Sequence, residues 1–270
     1  MERQLSQPRR GRRPLRVQPA FATMLKELRT RRRLTQLDIS ADCGVSQRHL
    51  SVLESGRARP SRATVMRLAD ALLLSPRERN ALLAAAGLAH EYHERSLDDP
   101  ELAYAKKAIT LLLDRLDPCP AIVIDRRFYL FELNAGAERL FAPWIGPPPR
   151  NKPVDLIELL NGTGARERIA NWDEVADFLL ATRERNALVA GNSQLARESR
   201  ARRAELGLLD RPLDTRPFLP VMFRSPDGNL SFLTAMVYVQ APRDLTLDET
   251  RVEVFFPADP ATEAWVKKGP

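Results

Sequence analysis

Residues 35–56 read T-Q-L-D-I-S-A-D-C-G-V-S-Q-R-H-L-S-V-L-E-S-G, a pattern that predicts two short helices joined by a tight turn. Thr35 offers its hydroxyl to the free N–H groups of a first helical turn, the task of an N-cap. Ile39 and Cys43 fall four residues apart, on one helix face. Gly44 stands where a helix C-terminus calls for positive φ, Val45 fills the corner, and Ser46 caps the second helix. There Leu50 and Leu53 point inward, while Gln47, Arg48, Ser51 and Val52 lie away from them. So short a turn makes the helices cross steeply, leaving the second free to protrude and enter a DNA major groove. The stretch reads as a helix-turn-helix unit.

The charge distribution points to the same partner. The chain of 270 residues has a formal net charge of +7, but residues 1–67 hold 16 Lys and Arg against 5 Asp and Glu, and the remainder 26 against 30. Positive charge gathered on one small domain is the footprint of a polyanion. An acidic protein or a membrane surface would account for the charge alone; the two-helix unit favours double-stranded DNA. The length suits about two domains. No apolar run approaches the roughly 18–20 residues that span a bilayer, and the arginine-rich start has no apolar segment behind it, so it is no secretory signal. Cys43 and Cys119 suggest neither a disulfide framework nor a zinc site. A cytoplasmic protein without membrane contact is expected.

Outward from the two-helix unit, residues 1–20 hold Arg3, Arg9, Arg10, Arg12, Arg13 and Arg16 among prolines and predict a disordered basic arm. It is either a solvated tail or a strand that follows phosphates or a minor groove. Phe21, Leu25 and Leu28 form a helical stripe ahead of Arg29, Arg31, Arg32 and Arg33. After Gly56 the loop R-A-R-P-S-R brings Arg57, Arg59 and Arg62 together as candidates for DNA contact. Pro60 and Ser61 open a helix with Val65, Leu68, Ala69 and Leu72 on one face. Ser75-Pro76-Arg77-Glu78 is a capping box with proline at the first helical position, starting a fifth helix that ends at Gly87. Residues 21–88 thus predict an all-α five-helix domain.

This segment resembles the DNA-binding domain of the lambda repressor and Cro, or XRE, family. The matching residues are L-T-Q at 34–36, G-V-S at 44–46 and L-E-S-G-R-A-R-P-S at 53–61. The resemblance implies that Gln36 contacts phosphate, that Gln47 and Arg48 touch bases or phosphates, and that Ser51 and Val52 face the groove one turn on. The chemistry agrees: Gln pairs with an adenine edge, Arg with guanine, and Val meets a thymine methyl. The competing reading of each is a solvated side chain. His49 reads as a flank residue.

Residues 89–107 predict a polar linker; His90-Glu91-Tyr92-His93 reads as surface rather than a metal site, because no further His follows. A helical run, Ala108 to Leu116, opens a second domain taken as 108–270, and Leu111-Leu112-Leu113 within it reads as core or dimer contact. Then the periodicity changes. A-I-V-I-D at 121–125 and F-Y-L-F-E-L at 128–133 predict a hairpin, and Asn134 caps a helix with Ala137, Leu140 and Phe141 inward. Helices are expected at Val154–Leu160, Trp172–Val189 and Ser193–Leu206, and strands at Phe218–Arg224, Leu230–Gln240 and Arg251–Pro257. Ser225-Pro226-Asp227-Gly228 marks a turn. The fold class expected is multidomain: the all-α helix-turn-helix domain, then an α+β PAS-like domain, an antiparallel sheet of about five strands with inserted helices.

Two strands and an Asn-capped helix are similar to the opening of a PAS domain. The element order over 108–266, with N-A-G-A-E-R-L-F, N-W-D-E-V-A and V-E-V-F-F-P as its best pieces, resembles the MmyB-like ligand-binding domain of bacterial transcription regulators. Arg48 and His49 stand where many such regulators carry an aromatic pair, so no operator sequence transfers. The resemblance implies a sheet enclosing an apolar small molecule, with a fatty acid among the occupants. Candidate lining residues are Ile122, Ile124, Phe131, Leu140, Phe141, Trp144, Leu156, Trp172, Phe178, Phe232, Met236, Tyr238 and Val254; a closed core would use the same side chains. Arg216 or Arg224 would be candidates to hold a carboxylate head.

Three functions compete. One is a homodimeric DNA-binding regulator that answers to an apolar small molecule. A second is an enzyme with a DNA-binding appendage; all three histidines precede residue 94 and no glycine-rich phosphate loop exists, which argues against histidine acid–base, haem or zinc chemistry. A third is a regulator whose second half is a protein-interaction or dimerisation module with no small ligand. No cofactor is called for beyond a bound fatty acid or similar apolar molecule.

Overall fold

The computed structural model describes residues 19–145, 154–209, 219–226, 228–239 and 244–269. The basic arm, most of it within residues 1–18, lies outside the described residues, as does Arg216. The chain divides into two compact units after Glu91.

The first unit holds five helices, α1 (Pro19–Arg31), α2 (Gln36–Cys43), α3 (Gln47–Glu54), α4 (Arg62–Ala71) and α5 (Pro76–Ala85). Capping chemistry sets their ends. The Thr35 hydroxyl accepts from the Asp38 N–H, and the Asp38 carboxylate accepts from the Thr35 N–H, a reciprocal box that satisfies two of the orphan donors of the first turn. Gly44 closes α2 at φ 64°, which a side chain would strain. Ser46, Ser61 and Ser75 each cap the next helix. Phe21, Leu25, Ile39, Leu50, Leu53, Val65, Leu68, Leu72, Leu82 and Leu83 meet in one buried core.

In the second unit residues 93–95, read from sequence as linker, are tied to residues 244–246. The Leu245 N–H donates to the His93 carbonyl, the Arg95 N–H to the Thr246 hydroxyl, and the Arg95 guanidinium pairs with Asp244 at 2.9 Å. A 3-10 turn at Pro100–Leu102 leads into α6 (Ala103–Leu116), one turn longer than the expected helical run. Then follow β1 (Ala121–Ile124), β2 (Tyr129–Leu133), α7 (Ala135–Ile145), β3 (Val154–Asp155), α8 (Leu156–Asn161), α9 (Thr163–Arg168), α10 (Trp172–Val189), α11 (Ser193–Glu205), β4 (Val221–Ser225), β5 (Gly228–Tyr238), α12 (Leu245–Glu249), β6 (Arg251–Pro257) and α13 (Pro260–Lys267). The strands form one antiparallel sheet in the order β3-β2-β1-β6-β5-β4.

Two expectations are corrected. The sheet has six strands among the described residues, not about five, and Val154–Leu160 is not a single helix. Val154 and Asp155 pair with Leu130 and Tyr129 as β3. The Asp155 carboxylate then accepts from the Ile157 N–H at 2.8 Å, so the helix starts at Leu156. The short α9, α12 and α13 carry too few periodic positions to have been read.

Asn134 joins three elements. Its side-chain oxygen accepts from the N–H groups of Ala121 and Ala137, both at 2.9 Å, and its amide donates to the Cys119 carbonyl at 2.9 Å. One buried side chain thereby fixes the start of β1 to the start of α7. α6 covers one face of the sheet, where Ile109 and Leu113 pack on Ala121, Val123, Val252 and Val254. The other face builds the larger core with α7, α8, α9 and α10.

Candidate functional site

In the first unit the turn 44–46 leaves one face of α3 uncovered. Gln47, Arg48 and His49 are exposed, and Ser51 and Val52 are half-buried beside them, as the inward direction of Leu50 and Leu53 requires. Glu54, at the end of α3, is the residue whose role sequence reasoning missed. Its carboxylate receives Arg29 through Nε at 2.6 Å and Nη2 at 3.0 Å, and the Gln36 amide at 2.8 Å. Arg29 also donates to the Leu34 carbonyl at 2.9 Å. α1, α2 and α3 are thus locked through one carboxylate, and the Gln36 amide is held at the N-terminus of α2. Burial pushes the Glu54 carboxyl up, but the hydrogen bonds from Arg29 and Gln36, with the charges of Arg29 and Lys26, outweigh it and hold the group below its usual range. The signal was present in sequence only as a Glu that follows Leu53.

The loop arginines differ. Arg59 is exposed; Arg57 is exposed and donates from Nε to the Ser55 hydroxyl at 2.8 Å. Arg62 donates to the Ala89 carbonyl at 2.7 Å and pairs with Glu91, leaving 42 % of its side chain exposed. Among the described residues no cluster of His, Cys, Asp or Glu could hold a metal ion, and no helix is long and apolar enough to cross a membrane.

The second unit holds a partly open cavity of about 250 Å³ on the α7–α10 side of the sheet. Of the thirteen side chains expected to line such a space, Ile122, Phe141, Leu156 and Phe178 do so. Ile124, Leu140, Trp172 and Phe232 are buried in the adjoining core without reaching the cavity; the Trp172 indole N–H donates to the Leu160 carbonyl at 2.7 Å. Met236 packs at the edge of that core. The Trp144 side chain lies outside the described residues.

Phe131, Val254 and Tyr238 are corrections. Val254 pairs with Ala121 and faces α6, because successive residues of a strand point to opposite faces. Phe131 is the extra residue where the β1–β2 register shifts between Val123 and Ile124. This bulge turns it toward α6 and leaves Leu130 and Leu133 both on the cavity side. Tyr238 is 61 % exposed, with the Arg251 guanidinium 5.5 Å from its ring centre. Arg224 is corrected as well. It points away from the cavity and donates to the carbonyls of Glu167 at 2.9 Å and Ile169 at 3.0 Å.

The residues missed come from three places. β2 and its approach supply Phe128, Leu130 and Leu133; α8, α10 and the extended residue after α9 supply Leu159, Leu160, Val175, Leu179 and Ile169; the late strands and the approach to β4 supply Leu219, Val221, Phe223, Thr234, Glu253 and Phe255. Phe141 stands edge-on to Phe223 and Phe255, with centroids at 5.7 and 5.5 Å, contacts worth about 0.5–1.5 kcal/mol each beyond burial. The parity of V-E-V-F-F-P would have found Phe255 and Glu253: both lie opposite Val254.

Comparison with known protein families agrees with both halves. The model described as "Helix-turn-helix domain" matches residues 20–82, and that described as "MmyB-like transcription regulator ligand binding domain" matches residues 105–268, more than half of the chain. No curated protein matches the chain significantly. A helix-turn-helix unit whose second helix has an exposed face precedes a PAS-like antiparallel sheet with inserted helices, the architecture of a transcription regulator. The chain belongs to the MmyB-like transcription regulator ligand-binding domain family.

Proposed function

We propose that this protein is a sequence-specific transcription regulator of the XRE type that binds DNA as a homodimer and responds to an apolar small molecule held in its second domain. Gln47 and Arg48 read base edges in the major groove, with Ser51 and Val52 one turn on. Gln36 contacts phosphate from the position in which Glu54 holds its amide. Arg57, Arg59 and the exposed part of the Arg62 side chain meet the backbone, and a dimer would span half-sites roughly 34–36 Å apart. The observation that carries the sensing half is the cavity, whose described wall residues are apolar but for Thr234 and Glu253. Walls of that kind suit an acyl chain or similar apolar body.

Organic extraction of the purified protein followed by mass spectrometry tests this reading. A stoichiometric apolar molecule that shifts operator affinity when added back supports it; a protein that purifies empty and whose DNA binding answers to no extract refutes it. One observation favours the reading of the second domain as a dimerisation module. Leu233 and Val237 of β5 and Phe256 of β6 share the α6-side face of the sheet, yet each is about two-fifths exposed. Sedimentation of the chain with and without Leu233→Glu tests whether this face is the dimer contact: if it is, the variant sediments as a monomer, and a dimer that survives the substitution refutes it.

A further inference from the structure

The apolar cavity has an acid in its wall. Glu253 stands on β6 opposite Ile122 of β1, with its side chain on the cavity face and only 9 % of the residue exposed. Of the described residues that line the cavity, Glu253 and Thr234 alone have polar side chains, and none is a Lys, Arg or His. Thr234, on the neighbouring strand, hydrogen bonds to the carboxyl. A hydroxyl has one proton to donate, whereas an ionised carboxylate has about four acceptor sites. Burial pushes the Glu253 carboxyl up to about 7, against the Thr234 hydrogen bond and the charge of Arg251.

Arg251 does not supply the missing partner. It lies two residues back on β6 and its charge reaches the carboxyl, but it does not line the cavity and its guanidinium stands over the Tyr238 ring. Arg224 is committed to the carbonyls of α9 and the residue that follows it. A buried acid with spare acceptors is costly unless a donor or an opposite charge meets it. A fatty carboxylate would bring a second negative charge against the first, and the two would have to share a proton. An ammonium brings the opposite charge and three N–H donors.

On the reading that this cavity is the effector site, we propose that the effector is an apolar molecule ending in a protonated amine, whose N–H groups donate to Glu253. On binding, molecules in which Glu253 is neutral lose its proton to solvent, and the ammonium keeps its own.

The test compares decylamine, decanol and decanoate, below micelle-forming concentrations, against the full chain by calorimetric titration. The amine is expected to bind at least tenfold tighter than the acid. Glu253→Gln should lower amine affinity about tenfold while leaving decanoate unchanged or improved, and Val175→Trp, which fills the cavity, should remove binding of all three. Decanoate binding as tightly as the amine overturns the proposal, as does a preference that survives Glu253→Gln or binding that survives Val175→Trp. Should none of the three bind and organic extraction yield nothing, the reading of the cavity as an effector site fails, and this inference with it. Decanoate winning in a cavity that Val175→Trp closes refutes the amine alone.

Discussion

Glu54→Gln tests how the helix-turn-helix unit is held. The substitution keeps the shape of the side chain and removes its charge, leaving the Arg29 guanidinium, 15 % exposed, without its counter-ion. Three donated hydrogen bonds converge on the carboxylate. Removing one partner of a buried ion pair costs about 3–5 kcal/mol. Arg29 keeps its bond to the Leu34 carbonyl and some contact with water, so the low end, about 3 kcal/mol, is expected. For a domain of this size each kcal/mol moves the midpoint by roughly 4–8 °C, which places the loss at roughly 12–24 °C.

The effect has a pH signature. In the fold the hydrogen bonds from Arg29 and Gln36 hold the Glu54 carboxyl below the ordinary glutamate range, so its contribution is complete above that range and is lost as pH falls below it. The gap between wild type and variant should close in acid. Trp144, Trp172 and Trp265 all lie beyond residue 91, so tryptophan fluorescence follows the second domain alone, while amide exchange over 19–91 follows the first. A first domain that loses less than about 1 kcal/mol, or a gap that stays constant far below the ordinary glutamate range, would refute the argument, since a broken buried pair costs more.

Other outcomes follow from the same structure. Arg48→Ala and Gln47→Ala should each cost about 1–3 kcal/mol of operator affinity and relax discrimination at one base position, measurable by binding to operator variants; a uniform loss on every sequence would assign the residue to phosphate instead. Arg57→Ala and Arg59→Ala should each reduce the slope of log affinity against log salt by about one. In Gly136→Ala the new Cβ would come within 2.4 Å of the Pro118 carbonyl oxygen and 3.2 Å of the Pro120 nitrogen, both backbone. The start of α7 must therefore shift, and overpacking of this kind costs about 1–3 kcal/mol; tryptophan fluorescence during urea unfolding would read it, and an unchanged midpoint would contradict it.

How much of this was legible depends on how local the physics is. Caps, turn glycines and inward leucines act within one or two helical turns, so Thr35, Gly44, Ser46, Leu50 and Leu53 announced α2 and α3 in the sequence itself. Asn134 announced α7 in the same way, and the excess of positive charge in residues 1–67 announced a polyanion. The cavity was another matter. Its wall comes from β1, β2, three inserted helices and the last strands, so which apolar residue closes the core and which faces the space depends on pairing partners far away in the chain. The bulge at Val123/Ile124 turns Phe131 outward and Leu130 and Leu133 inward, a one-residue shift that alternation alone does not show.

Glu54 and Glu253 mark the two sides of that division. The sequence by itself determined a helix-turn-helix reader and a strand-rich second domain, because periodicity and capping are properties of neighbouring residues. Only the tertiary structure decided that Glu54 clasps Arg29 and Gln36, 25 and 18 residues away, and that Glu253 stands in an apolar wall with Thr234 as its polar neighbour there. A carboxylate's partners are chosen by proximity in space, and proximity across a core is set by packing.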